Sequence, residues 1–186
     1  MKGSAMRELS LHVLDLMENS ISAGAGTISL TVAQDRTRDL LKIVVEDDGP
    51  GLTVPSETAL DPFYTTKNSK RTGLGLSLFR STVEQAGGQL TVRQSALGGL
   101  AVEATMQWSH VDRVPIGDIA ASVCSVVCTN PELDVVCRFA AGDEQRLIRV
   151  SDVAQELPLG NRNGLAVARR VSARIQNSIE TLGIGL

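Results

Sequence analysis

Four stretches decide how this chain folds, and the first is His12-Val13-Leu14-Asp15-Leu16-Met17-Glu18-Asn19-Ser20-Ile21-Ser22-Ala23-Gly24-Ala25. From Glu8 to Ala23 the apolar residues Leu9, Val13, Leu14, Leu16, Met17 and Ile21 gather on one side of a helical wheel, which predicts an amphipathic helix. The other side collects Glu8, His12, Asp15, Asn19 and Ser22, so His12 is expected to be satisfied or solvent-facing. Asp15 and Asn19, one turn apart, project side by side. Charged helix faces are commonly just solvated, but a carboxylate beside an amide oxygen can also orient a water and complete an oxygen shell around Mg²⁺.

Past Gly24 to Gly26 the period changes to two. Ile28, Leu30 and Val32 alternate with Ser and Thr as in a half-buried strand, and Leu41, Ile43 and Val45 predict a second one. It ends in the second stretch, Val45-Glu46-Asp47-Asp48-Gly49-Pro50-Gly51, a carboxylate at a strand end followed by glycines that allow close backbone approach. Such a turn can present a fixed acceptor to the amino group of a purine. Residues 52 to 72 hold two prolines and no sustained period, which predicts a long loop. Within it lies the third stretch, Asp61-Pro62-Phe63-Tyr64-Thr65-Thr66-Lys67, followed by Lys70 and Arg71: hydroxyls and cations that suit a lid over phosphates or a solvated basic loop. The fourth, Thr72-Gly73-Leu74-Gly75-Leu76-Ser77, opens a helix running to Ala86, whose N-terminal N–H groups favour anions.

A hairpin is expected from Leu90 to Gln94 and Leu100 to Met106, closed around Gly98 and Gly99. The pattern then lapses from Trp108 to Pro115. We therefore expect one domain over residues 1 to 110 and a small α+β unit over 111 to 186, serving partner docking or dimerisation. In the second unit a helix is expected over Ile116 to Cys128, strands over Leu133 to Phe139 and Arg146 to Val150, and a final helix from the Leu165, Ala168, Val171, Ile175, Ile179, Leu182 stripe. That stripe would also serve a homodimer. Cys124 and Cys128 lie one turn apart with Cys137 beyond, but tight ligand spacing and a fourth partner are missing, so buried reduced thiols are expected.

Neither a Walker A sequence nor a dinucleotide fingerprint is present. The four stretches in this order resemble instead the ATP-binding domain shared by histidine kinases, type II topoisomerases, heat-shock protein 90 and mismatch-repair ATPases, the GHKL or Bergerat family. Its N box resembles His12 to Ala25, its first glycine box Asp47 to Gly51, its F box Pro62 to Lys67 and its second glycine box Thr72 to Leu76, so the resemblance spans roughly residues 7 to 108. It implies a two-layer α/β sandwich with ATP clamped between helices and lid. Asn19 would bind magnesium, Asp47 would read adenine, and Gly49 and Gly51 would shape the base pocket. Lys67 would meet the γ-phosphate, and the box of Thr72, Gly73, Leu74, Gly75 and Leu76 would offer backbone N–H groups to the phosphates. Asp15 stands where hydrolysing members carry a Glu general base, one methylene longer.

The formal charge of −3 lacks the basic footprint of a nucleic-acid binder, and five aromatic residues make poor stacking platforms. No apolar run approaches a membrane span and no export signal opens the chain, so a cytoplasmic, membrane-free protein is expected. Only seven residues precede the predicted helix, so the dimerising phosphoacceptor unit of a sensor kinase is not expected here. The resulting expectation is an ATP- and Mg²⁺-dependent regulatory protein that phosphorylates a partner protein or hydrolyses ATP. Two alternatives are a non-catalytic module whose lid controls docking and a DNA-processing ATPase of the topoisomerase or mismatch-repair kind. Charge and length argue against the latter.

Overall fold

The computed structural model describes residues 8–51 and 74–185. Helix α1 (Leu9–Ser22) leads into an antiparallel pair, β1 (Thr27–Asp35) and β2 (Leu40–Asp47). Helix α2 (Leu74–Gln85) and the hairpin β3 (Gln89–Gln94) and β4 (Leu100–Gln107) come next. Then come α3 (Ile119–Thr129), β5 (Asp134–Ala141), β6 (Glu144–Arg149), α4 (Val150–Glu156) and α5 (Gly164–Leu182). The strands form one sheet in the order β3-β4-β2-β1-β5-β6.

Alternation sorts the two faces of that sheet. Ile28, Leu30, Val32, Leu41, Ile43, Ala104, Met106, Val135 and Phe139 are all essentially inaccessible and belong to one core together with residues of the helices. On the opposite face Lys42 pairs with Glu103 at 2.8 Å, and Arg93 reaches Glu46 at 3.4 Å and Glu103 at 3.7 Å. The result is a two-layer α/β arrangement, helices on one face and a polar surface on the other, in agreement with the expected sandwich.

The boundary expected at residue 110 falls on a connection, and the sheet runs across it. β5 lies parallel to β1 over its whole length, from Thr27 opposite Asp134 to Gln34 opposite Ala141. A parallel pair needs a crossover, and α3 supplies it. The connecting segment also completes α1: the N–H groups of Leu9 and Ser10 donate to the carbonyls of Pro115 and Ile116 at 2.9 and 2.8 Å, partners the helix start requires because Glu8 makes no side-chain cap. A lapse of hydrophobic pattern looks the same in sequence whether it separates two bodies or crosses the surface of one.

β1 ends at Asp35, and Gln34, 3 % exposed, occupies an inward position with its Oε1 accepting from the Gly185 N–H at 3.1 Å. Helix α4 has no counterpart in the sequence pattern, since its seven residues bury only Val150 and Val153, too few to set a period. His12 corrects the reading of the α1 polar face. It is 1 % exposed, stacked on Phe79 of α2 with ring centroids 4.7 Å apart.

Candidate functional site

α1 and β2 bring the sequence-predicted residues together. A cavity of about 130 Å³ opens between α1, the end of β2, the start of α2 and the start of β4. Its walls are largely apolar, from Leu16, Val45, Leu76, Leu100 and Val102, with Asn19, Ser20 and Asp47 as its polar side chains. Asn19 and Asp47 thus face one space, and Gly51 and Leu76 line it too.

Asp47 is 5 % exposed and fully held. Its Oδ1 accepts from the backbone N–H of Gly49 and of Leu100, each at 3.0 Å, and its Oδ2 accepts from the Ser20 hydroxyl at 2.6 Å. The Gly99 N–H donates to the Asp47 carbonyl at 3.0 Å. A side chain at 99 would collide with Asp47 Oδ1, so the hairpin glycine also makes room for the carboxylate. Asp48 points elsewhere: its Oδ1 accepts from the N–H groups of Gly26 and Thr27 at 2.8 and 2.9 Å, tying β1 to β2. The Thr27 amide foremost holds this carboxyl below its ordinary range.

At the other end Asn19 Nδ2 donates to Asp15 Oδ2 at 3.4 Å. Asp15 is half-buried, and burial first, then the Glu18 charge, push its carboxyl up while the Asn19 bond opposes them. Gly75, at the start of α2, packs so closely on Asp15 that a Cβ there would overlap the carboxylate. The N-terminal end of α2, with its positive dipole end, therefore abuts the Asp15–Asn19 pair. Leu74 opens the helix, whereas Lys67, Thr72, Gly73 and the expected loop over 52 to 72 lie outside the described residues.

Within the N box the residue pattern assigns Ser20 no role of its own, and Gly99 reads as a turn residue. A signal exists for Ser20: it falls one turn after Leu16 and Met17, a hydroxyl on the apolar stripe, which demands a buried partner. Gly99 gives no sequence signal for its approach to Asp47. Elsewhere, His12 Nε2 lies 3.2 Å from Thr82 Oγ1 while Nδ1 has no partner among the described residues. Burial takes its pKa down to about 4. Cys137 is inaccessible in β5, its thiol pushed up to about 12 by burial, and Cys124 and Cys128 are half-buried on α3. Among the described residues no three His, Cys, Asp or Glu side chains cluster to hold a metal, and no helix is long and apolar enough to cross a membrane.

Residues 6–110 match the family model for histidine kinase-, DNA gyrase B-, and HSP90-like ATPases. The chain is 33% identical over 103 residues to the sensor protein kinase CarS of Pseudomonas aeruginosa, aligning 54% of itself with 23% of that protein. It is 40% identical over 98 residues to the sensor protein kinase PilS of the same organism, aligning 50% of itself with 18% of that protein. It thus spans about a fifth of the length of these relatives. Among solved structures, the catalytic domain of histidine kinase ThkA aligns with a TM-score of 0.45 at 25% identity, over 55% of this chain and 68% of that one. The ATP-binding domain of PrrB from Mycobacterium tuberculosis aligns with a TM-score of 0.42 at 22% identity, over 52% of this chain and 64% of that one.

Proposed function

Because the chain belongs to the histidine kinase-, DNA gyrase B-, and HSP90-like ATPase family, we propose that it binds MgATP in the cavity between α1 and β2 and acts as a histidine kinase-like regulatory protein, phosphorylating a partner protein or hydrolysing ATP. The observation that carries this reading is the convergence of Asn19 and Asp47 on one cavity. Apolar walls suit the faces of a purine, and a carboxylate oxygen lining the cavity is an acceptor that pairs with an exocyclic amino group. The triphosphate would extend toward Asn19 and the α2 N-terminus, where backbone N–H groups and the helix dipole favour anions.

The residues at that end fit Mg²⁺. The Asn19 amide nitrogen is committed to Asp15, so its Oδ1 is left as a hard oxygen donor beside a carboxylate, the ligand type this ion takes alongside phosphates. When bound, the ion neutralises charge on the phosphates. Asp15 would orient the attacking water or hydroxyl, and its raised pKa brings its carboxylate closer to the range of a useful base. Gly75 would hold α2 near enough for this carboxylate and the helix N–H groups to act on the same phosphate. In a kinase the acceptor would come from a partner protein.

A single-turnover assay with labelled ATP tests the reading. Hydrolysis or transfer that disappears in Asp15→Asn is the expected result. Tight ATP binding with no turnover would make the protein a nucleotide-gated docking module instead, and absence of ATP binding would overturn both.

A further inference from the structure

Ser20 does more than line the cavity. Its hydroxyl has one hydrogen, and that hydrogen is committed to Asp47 Oδ2 at 2.6 Å, in a buried bond that joins α1 to β2. Asp47 Oδ1 is meanwhile occupied by two backbone donors, Gly49 and Leu100. Both side chains line the cavity, and beyond these bonds Oδ2 keeps a lone pair and Ser20 Oγ its own, two acceptors side by side. The amide of Asn19, the other polar side chain lining the cavity, donates to Asp15. Among the described residues, Ser20 and Asp47 therefore line the cavity as acceptors without a competing side-chain donor.

We propose that Ser20 is a specificity-determining residue, whose hydroxyl fixes the Asp47 carboxylate and adds a second acceptor, so that the cavity takes 6-amino purine nucleotides and rejects 6-oxo ones. This rests on the nucleotide reading above. An amino group brings two hydrogens to two acceptors. A 6-oxo purine brings a carbonyl oxygen in place of that donor, which sets a third lone-pair group against these two acceptors. A site built to receive an N–H discriminates strongly against an analogue lacking it, because its own buried groups then lose their partner.

The test is equilibrium binding of ATP and of inosine triphosphate, which differ at this position of the base, to the full chain with Mg²⁺. The wild type is expected to prefer ATP by about a hundredfold or more. In Ser20→Ala, a substitution that favours the helix, ATP binding should weaken about tenfold while inosine triphosphate binding barely moves, so the preference falls by about the same factor. Ser20→Thr retains the hydroxyl and should retain the preference. Should the alanine variant fail to fold, Ser20→Cys, with only a weak donor and acceptor, should lower the preference likewise. A role in packing alone would weaken both nucleotides together. A preference unchanged within about twofold in Ser20→Ala, or lost as fully in Ser20→Thr, overturns the proposal and leaves the nucleotide site standing. A wild type that binds neither nucleotide overturns the site itself, and this inference with it.

Discussion

Asp47 cannot be replaced by its amide without turning a donor toward the cavity. The N–H groups of Gly49 and Leu100 require an oxygen where Oδ1 now sits, so in Asp47→Asn the new NH₂ must take the place of Oδ2, beside the Ser20 hydroxyl. Facing a purine amino group, it presents hydrogen to hydrogen. We expect adenine nucleotide affinity to fall by about 1–3 kcal/mol, the cost of losing a hydrogen bond to a charged group. Titration calorimetry measures this directly, and unchanged affinity would count heavily against the pocket. Gly99 acts on the same carboxylate from outside the cavity. In Gly99→Ala the added methyl meets Asp47 Oδ1, the Asp47 carbonyl and the Gly49 nitrogen. Backbone cannot yield as a flexible side chain would, so a loss of about 2 kcal/mol in unfolding free energy should accompany weakened binding. Denaturant melts would show it, and a melt indistinguishable from wild type would refute the account. Asp47 and Asn19 are legible in the sequence because a strand-end carboxylate before glycines and an i, i+4 polar pair are local patterns. The partner at Leu100 lies 53 residues from Asp47, and no local pattern announces it.

Between α1 and α2 the contacts run in order along the two helices. His12 meets Phe79 and Thr82, then Asp15 meets Gly75, then Leu16 and Asn19 share the cavity with Leu76. Periodicity places His12 with the solvated residues because a wheel reports the hydropathy of one helix and not the second helix lying against its flank. The neutral ring fits there: Thr82 Oγ1 already donates to the Leu78 carbonyl at 3.0 Å, so His12 Nε2 carries the proton toward Thr82 and the unpaired Nδ1 is an acceptor. Protonation would place a charged, unpaired N–H in the interior. The ring titrates at about 4 in the folded chain against an ordinary 6.5, so between those values the unfolded chain binds the extra proton. Stability from this group is thus complete above about pH 6.5 and lost as pH falls toward 4, by up to about 3 kcal/mol. His12→Phe keeps an aromatic stack and removes the titration. Its thermal midpoint should fall less than that of the wild type from pH 7 to pH 4.5, and parallel profiles would disprove the role given to His12.

Residues 8–110 depend on residues 111–185 for more than a covalent link, and the dependence involves the entire sheet. The family resemblance ends near 110, and so does the family match, which makes that point an inviting place to cut. The fold argues otherwise. β1 has β2 on one side and β5 on the other, so removing the later residues turns a central strand into an edge and frees a row of its N–H and C=O groups. It also uncovers α1 from a second direction. The Ser122 hydroxyl donates to the Ser10 carbonyl at 3.1 Å, the carbonyls of Pro115 and Ile116 complete the first turn, and Ile119 and Val123 belong to the same core as Leu9 and Val13. Each large apolar side chain so exposed forfeits about 1.5–3 kcal/mol, and a handful would match the roughly 5–15 kcal/mol that ordinarily separates folded from unfolded chains. A chain ending at residue 110 should therefore fail to show a cooperative thermal transition and should self-associate, whereas the full chain melts in one step. Calorimetry and size-exclusion chromatography of the two, prepared side by side, decide the matter. A truncated chain that melts cooperatively as a monomer would mean that the later residues are an attachment, and that the helix bearing Asp15, Asn19 and Ser20 holds its place without them.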